Sequence, residues 1–219
     1  MGGALRDVTG VILAGGHSSR MGSNKALLPY CGGRFIEAIH RQFRGLFRDV
    51  LVVTNRPEQY AFLDCPLVPD IHAGMGALAG LQSGLFHSQT PHIFAVACDM
   101  PYLNDNLIRA LVTRRHQADV VIPESEHGLE PLHAVYGRTC LPHMETALRT
   151  GRRRIVSFFD AVAVLRFERH QVVAIDPAFD SFRNINTPDD YYRLRQNENG
   201  AHVHAPRNDT PDVITNLIG

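Results

Sequence analysis

A single-domain α/β protein is the fold class this sequence predicts: a three-layer α/β/α sandwich around a mostly parallel sheet. Three observations carry that expectation. Apolar runs such as "VTGVILA" (8–14) and "HIFAVAC" (92–98) are continuous rather than alternating, as strands buried on both faces require. They alternate along the chain with segments of helical period. At 219 residues, with no repeat and no internal linker, the chain suits one domain, assigned to residues 1–196.

The elements follow in order. "VTGVILA" is β-branched and ends in glycine, so it reads as a buried strand. "RFIEAIHRQFRGLF" (34–47) puts Phe35, Ile36, Ile39, Phe43 and Leu46 on one side of a helix. "DVLVVT" (49–54) is the next strand, residues 57–63 a short helix, and "PLVPD" (66–70) a short strand ending in an acid. "GMGALAGLQSGLFHS" opens on glycines and becomes a helix with Leu78, Leu81 and Leu85 in register. After the strand at 92–98 come a helix at 103–116, with Leu107, Ile108, Leu111 and Val112 inward, and strands at 118–123 and 130–136. Helices are expected at 138–149 and 152–160, and a strand at 161–167. "NINTPDDYYRLRQ" (184–196) has the start signals of a helix: Thr187 as N-cap, Pro188 at the first position, acids in the first turn. Residues 197–219 are polar and without periodicity, and are expected to be a disordered or loosely attached tail.

Bulk properties narrow the function before any motif is considered. The formal net charge is zero, which argues against a nucleic-acid partner, whose usual footprint is a basic surface. Cys31, Cys65, Cys98 and Cys140 are dispersed with no CxxC pair, which reads as free thiols in a reducing compartment. "MGGALRDV" lacks an apolar stretch of signal-peptide length, and no apolar run approaches the ~20 residues of a membrane helix. The expectation is a cytoplasmic protein with no membrane partner. The histidines show no HExxH or similar spacing, which argues against a zinc site.

"ILAGGHSSRMGSNK" (12–25) lies beyond the first strand, where open α/β sheets bind ligands. Gly15 and Gly16 permit close backbone approach, and consecutive N–H groups in such a loop can cradle anionic oxygens. Arg20 and Lys25 add positive charge suited to phosphate. The loop is neither a Walker A motif nor a GxGxxG fingerprint. A plain Gly-Gly turn with solvated cations is the alternative, and the preceding strand with both cations after it argues against that.

"LAGGHSSRMGSNKALLP" resembles the signature of nucleotidyltransferases with a glycosyltransferase-A-like fold, and is most similar to the molybdenum cofactor guanylyltransferases. "TNR" (54–56), "PD" (69–70), "GMGALAGLQSG" (74–84), "CDMPYL" (98–103), "EPLHAVY" (130–136) and "NINTPDD" (184–190) agree with that family in order, so the resemblance spans about residues 8–195. It implies a Rossmann-like, nucleotide-diphospho-sugar transferase-like fold. Two departures stand out: Asn24-Lys25 where the family usually has Asp-Lys, and Gly76-Ala77-Leu78 where it usually has Gly-Pro-Leu.

By the resemblance, Leu13, Ala14, Gly15, Gly16, Lys25, Asn55, Asp70 and Asp99 bind nucleotide, and Arg20, Lys25 and Asp99 are catalytic. Asp99 is also the implied Mg2+ ligand; a strand-end carboxylate suits a hard cation that takes one or two carboxylates plus substrate phosphates. Asp99 as a turn or N-cap residue, Asn55 as a cap for the helix at 57, and Asp70 in an Asx-turn are the structural alternatives. A carboxylate at 70 can accept paired hydrogen bonds from guanine's N1–H and exocyclic amine. Glu130, Asn184 and Asn186 fall in the half that the resemblance turns toward the acceptor. Arg152, Arg153 and Arg154 read first as a solvated helix face. The implied reaction transfers GMP from GTP to molybdopterin cofactor and releases pyrophosphate, with transient contacts to molybdoenzymes or their chaperones. A cytidylyltransferase acting on the same pterin, or a non-catalytic cofactor-delivery module, is the alternative.

Overall fold

The computed structural model describes residues 5–15, 24–187, 189–194 and 196. Gly16, His17 and Arg20, the tail from 197 and Pro188 lie outside the described residues.

Strand β1 (Leu5–Leu13) runs through the middle of an eight-stranded sheet. A small hairpin, β2 (Pro29–Tyr30) and β3 (Gly33–Arg34), leads into helix α1 (Phe35–Leu46), which crosses to β4 (Phe47–Val53). Next come β5 (Leu67–Val68), α2 (Ala77–His87), β6 (His92–Ala97) and α3 (Asp105–Thr113). The second half supplies β7 (Val120–Ser125), β8 (Gly128–Leu129), β9 (His133–Gly137), α4 (Leu141–Arg149), β10 (Val164–Phe167) and α5 (Arg169–Val173). The order across the sheet is β10-β7-β9-β6-β1-β4-β5, with β8 paired to β7. Strand β9 runs antiparallel to both neighbours and β8 antiparallel to β7; the other pairings are parallel.

Side chains on β1 divide by parity, as the two-residue period of a strand demands. Val8 and Ile12 belong to a core shared with Ile36, Ile39 and Phe43 of α1 and Leu107 and Leu111 of α3. Val11 and Leu13 belong to a second core, with Leu78, Leu81 and Leu85 of α2 and Met144 and Leu148 of α4. The sheet is thus covered on both faces, and the expected three layers are present. Close packing leaves no room at two glycines. A Cβ on Gly84 of α2 would lie 2.6 Å from Val11 Cγ1, and one on Gly10 would lie 2.6 Å from Phe43 Cδ2. Gly84→Ala is therefore expected to destabilise the fold by about 1–3 kcal/mol, the usual cost of overpacking. Urea unfolding checks it; an unchanged midpoint would mean that α2 can lift off the sheet without cost.

Several elements differ from expectation. The helix expected at 57–63 is a 3-10 turn, Pro57–Gln59. Residues 152–154 are exposed and lie outside any helix, and Ile155–Ala161 is a 3-10 helix. The helix expected at 138–149 opens as a 3-10 turn, Arg138–Cys140, before α4. At the last helix, Asp190 N donates to Thr187 Oγ1 (3.1 Å), and residues 189–194 are helical.

The chain leaves β1 for β4 on one side and later returns to β6 on the other, which makes the β1/β6 boundary a topological switch point. Leu13 is in register with both Val53 and Ala97. Segments 14–15 and 98–99 consequently leave the sheet side by side.

Candidate active site

A cleft of about 380 Å³ opens at that boundary, walled by Leu13, Ala14 and Gly15 after β1 and by Cys98 and Asp99 after β6. Lys25, Glu130 and Asn184 complete it. The Ala14 N–H is engaged by Val53 O at 2.9 Å, and Leu13 O accepts from Cys98 N at 3.2 Å. Of the N–H run expected from Leu13 onward, the part open to a ligand therefore begins after Ala14.

Lys25 is placed by the residue before it. Asn24 caps the 3-10 turn Lys25–Leu27, its Oδ1 accepting from Ala26 N at 3.2 Å. Its Nδ2 donates to Gln59 Oε1 and Tyr60 Oη, both at 2.8 Å. Tyr60 Oη in turn lies 3.5 Å from Ala14 O. The amide thus accepts at one end and donates at the other, which a carboxylate could not do. The role was missed in the sequence because Tyr60 is 36 positions away.

The Lys25 ammonium donates to Asn186 Oδ1 at 2.8 Å and lies 3.9 Å from Asp99 Oδ2. Asp99 O accepts from Ile185 N at 3.0 Å. Residues 184–187 and 189–194 are tied down as a strap. Asp190 Oδ2 accepts from the N–H groups of Asn186 and Thr187 (3.1 and 2.9 Å), and Tyr191 Oη donates to Pro29 O at 2.9 Å beside Phe35. Lys25, Asp99, Glu130, Asn184 and Asn186 are thereby gathered from distant parts of the chain.

Burial pushes the Asp99 carboxyl above its ordinary range, with Lys25 pulling the other way. Glu130 is likewise raised by burial, against the pull of Ser125 Oγ, which donates to it at 2.6 Å. Two half-buried carboxylates in one cleft form a donor set suited to a hard cation. Among the described residues no group of three metal-ligating side chains assembles; the set fits an ion that takes its remaining ligands from substrate oxygens and water, as Mg2+ does.

The raised Asp99 value has a stability consequence. The fold prefers the protonated acid, so the stabilising contribution is fully present below the ordinary value of 3.8 and is lost as pH rises through the folded one. At neutral pH the ionised group costs stability. Asp99→Asn, which is neutral, is expected to melt above wild type at pH 7, with about 2–4 °C for each kcal/mol recovered. The difference should shrink on acidification. Equal melting at pH 7 would show that Lys25 compensates the burial in full.

A second pair stands beside the cleft. Asn55 Nδ2 donates to Asp70 Oδ2, and Asp70 N donates to Asn55 Oδ1, each at 2.9 Å. Burial raises the Asp70 carboxyl, partly offset by Asn55. A Cβ on Gly15 would sit 3.9 Å from Asp70 Oδ2, and one on Gly80 3.4 Å from Oδ1, so the carboxylate borders the glycine loop. Beyond it, Ile71 N donates to Ser83 Oγ (2.8 Å) and His72 Nε2 meets Glu145 Oε2 at 2.7 Å, fixing the approach to α2. Arg152, Arg153 and Arg154 are exposed and do not line the cleft.

The model of the MobA-like NTP transferase domain matches residues 10–169. A curated relative from Desulfosudis oleivorans, "Molybdenum cofactor guanylyltransferase", is 36% identical over 185 residues, covering 84% of this chain and 92% of its own. The crystal structure of molybdopterin-guanine dinucleotide biosynthesis protein A from Archaeoglobus fulgidus superposes with a TM-score of 0.78 at 25% identity, over 88% of this chain and 100% of that one. A nucleotidyl transferase from Methanothermobacter has the same fold, with a TM-score of 0.66 at 21% identity over 89% of this chain and 98% of its own.

Proposed function

We propose that this chain, which belongs to the MobA-like NTP transferase family and within it to the molybdenum cofactor guanylyltransferases, transfers GMP from GTP to the phosphate of molybdopterin (molybdenum) cofactor and releases pyrophosphate. The observation that carries this reading is the Lys25 ammonium, held 2.8 Å from Asn186 and 3.9 Å from Asp99 at the switch point of the sheet.

The attacking group is a phosphate oxygen that is already anionic, so no general base is needed. The reaction needs charge neutralisation and in-line placement. Lys25 supplies an ammonium to the charge that develops on the α-phosphate and the leaving pyrophosphate, and Arg20 is assigned the same task. Gly15 and Gly16 let phosphates approach bare backbone. Asp70, oriented by Asn55, positions the base; Glu130, Asn184 and Asn186 face the acceptor. Asp99, with Glu130 nearby, would hold Mg2+, which when bound neutralises phosphate charge. A cytoplasmic location with no nucleic-acid or membrane partner belongs to the same reading. It is supported by the zero net charge and by described helices none of which is long and apolar enough to cross a membrane.

The test is a panel of GTP, CTP and ATP with purified protein, Mg2+ and molybdopterin, following pyrophosphate. Release with GTP above CTP and ATP is expected. Release with CTP alone would make the chain a cytidylyltransferase, and none with any nucleotide would leave a delivery module.

A further inference from the structure

The loop from Asp70 to α2, residues 71–76, is costly to order. Gly74 and Gly76 stand at φ 79° and 77°, conformations open mainly to glycine, and glycine loses the most freedom when a chain is fixed. Apolar burial repays little of that in its first half, where Ile71 is exposed; only Met75, near the end, is partly buried against the core around α2. What fixes the residues next to Asp70 is directed hydrogen bonding.

Ile71 N donates to Ser83 Oγ of α2 at 2.8 Å, and His72 Nε2 donates to Glu145 Oε2 of α4 at 2.7 Å. The same carboxylate oxygen accepts from Gln82 Nε2 of α2 at 3.3 Å, and Gln82 is buried. One oxygen of Glu145 thus ties the loop, α2 and α4 together. His72 O accepts from Met75 N at 3.2 Å, which closes a turn on the residue so held. His72 comes two positions after Asp70, whose own N–H is engaged by Asn55 Oδ1 at 2.9 Å. Asp70 is therefore fixed by Asn55 at its amide and by Glu145, through His72, just beyond it.

We propose that His72 and Glu145 are positioning residues for the nucleotide: a latch that orders the loop behind Asp70 before GTP arrives. The inference rests on the reading above that GTP binds beside Asp70. Without the latch the loop has to be ordered at binding, and that cost is subtracted from the affinity. The loss cannot exceed what the latch itself is worth. The two side chains are 29% and 41% exposed, so the pair ranks with exposed ion pairs, which sets a limit of about fivefold. Neither residue lines the cleft, so turnover at saturating GTP should not change.

Isothermal titration of GTP into the full chain tests this, with kcat followed by pyrophosphate release. His72→Ala is expected to weaken GTP by about two- to fivefold at unchanged kcat. His72→Gln, which keeps a donor near Glu145, guards against a variant that fails to fold and should recover part of the loss. The decisive comparison is made in the Asp70→Ala background. A latch that acts through Asp70 then has nothing left to position, so adding His72→Ala should leave GTP affinity where Asp70→Ala put it. An equal further loss there would overturn the proposal. So would a lower melting temperature in His72→Ala with GTP affinity unaltered, the result of a merely structural pair. Pyrophosphate release by wild type and His72→Ala at the same GTP affinity would overturn the latch and leave the transfer reading intact. Latch-dependent GTP binding without pyrophosphate release would keep the latch and remove the transfer reading.

Discussion

Lys25→Ala and Asp99→Ala are each expected to lower turnover by about 10²–10³-fold, the loss seen when one interaction with developing transition-state charge is removed. The two side chains form the charged centre of the cleft, 3.9 Å apart and both largely shielded from solvent. Neither change should unfold the protein. The Asp99 main chain keeps its bond from Ile185 N, and the strap remains fixed through Asp190 and Tyr191. The Lys25 turn keeps its Asn24 cap. Near-normal pyrophosphate release by either folded variant would take that residue out of the mechanism. A loss in Lys25→Ala that appears as GTP affinity rather than turnover would assign the ammonium to ground-state binding.

Much of the fold was legible because long segments carried strong periodicity. All five apolar positions expected on one side of α1, from Phe35 to Leu46, are buried, as are Leu78, Leu81 and Leu85 of α2. Short elements were less legible. The β2–β3 hairpin turns through Cys31 (φ 47°) and Gly32 (φ 73°), so a cysteine occupies a position where Asn, Asp or Gly would have signalled the turn. Helix α5 has only five residues, and its trace in the sequence is Glu168 with Gln171, which form a reciprocal capping box. The expected helix at 57–63 gives way to a short turn because Tyr60 is drawn inward to Asn24 and Ala14. The same rule holds at the site. The position of Asp99 in the cleft and of Asp70 at its border was legible because strand ends in an α/β sheet point at ligands. The Asn24–Tyr60–Ala14 link and the Tyr191 anchor were not, since each joins parts of the chain that only the tertiary fold brings together.

Base choice is the other large effect. If Asp70 pairs with guanine, Asp70→Ala weakens GTP by about 1.5–3 kcal/mol, the range for hydrogen bonds to a charged group, which is about tenfold or more in affinity. CTP should lose much less, because cytosine lacks the adjacent ring N–H and amine that a carboxylate can accept together. The geometry supports the assignment on two counts. Asn55 Nδ2 and Asp70 N lock the pair reciprocally, so the carboxylate is oriented before any ligand arrives. Its Oδ1 faces Gly80, where a Cβ would stand 3.4 Å away, and its Oδ2 faces Gly15, so small residues flank it on both sides. Asn55→Ala should reproduce part of the loss, since it frees the carboxylate to rotate without removing it. Ala77, where the family usually has proline, begins α2 just after Gly76 at φ 77°; this loop lies beyond Asp70 and leaves its pairing with Asn55 unaltered. Isothermal titration of wild type, Asp70→Ala and Asn55→Ala with GTP and CTP decides the matter. Equal weakening of both nucleotides by Asp70→Ala would place the carboxylate at the ribose or in the fold, and guanine selection would then have to rest on other residues.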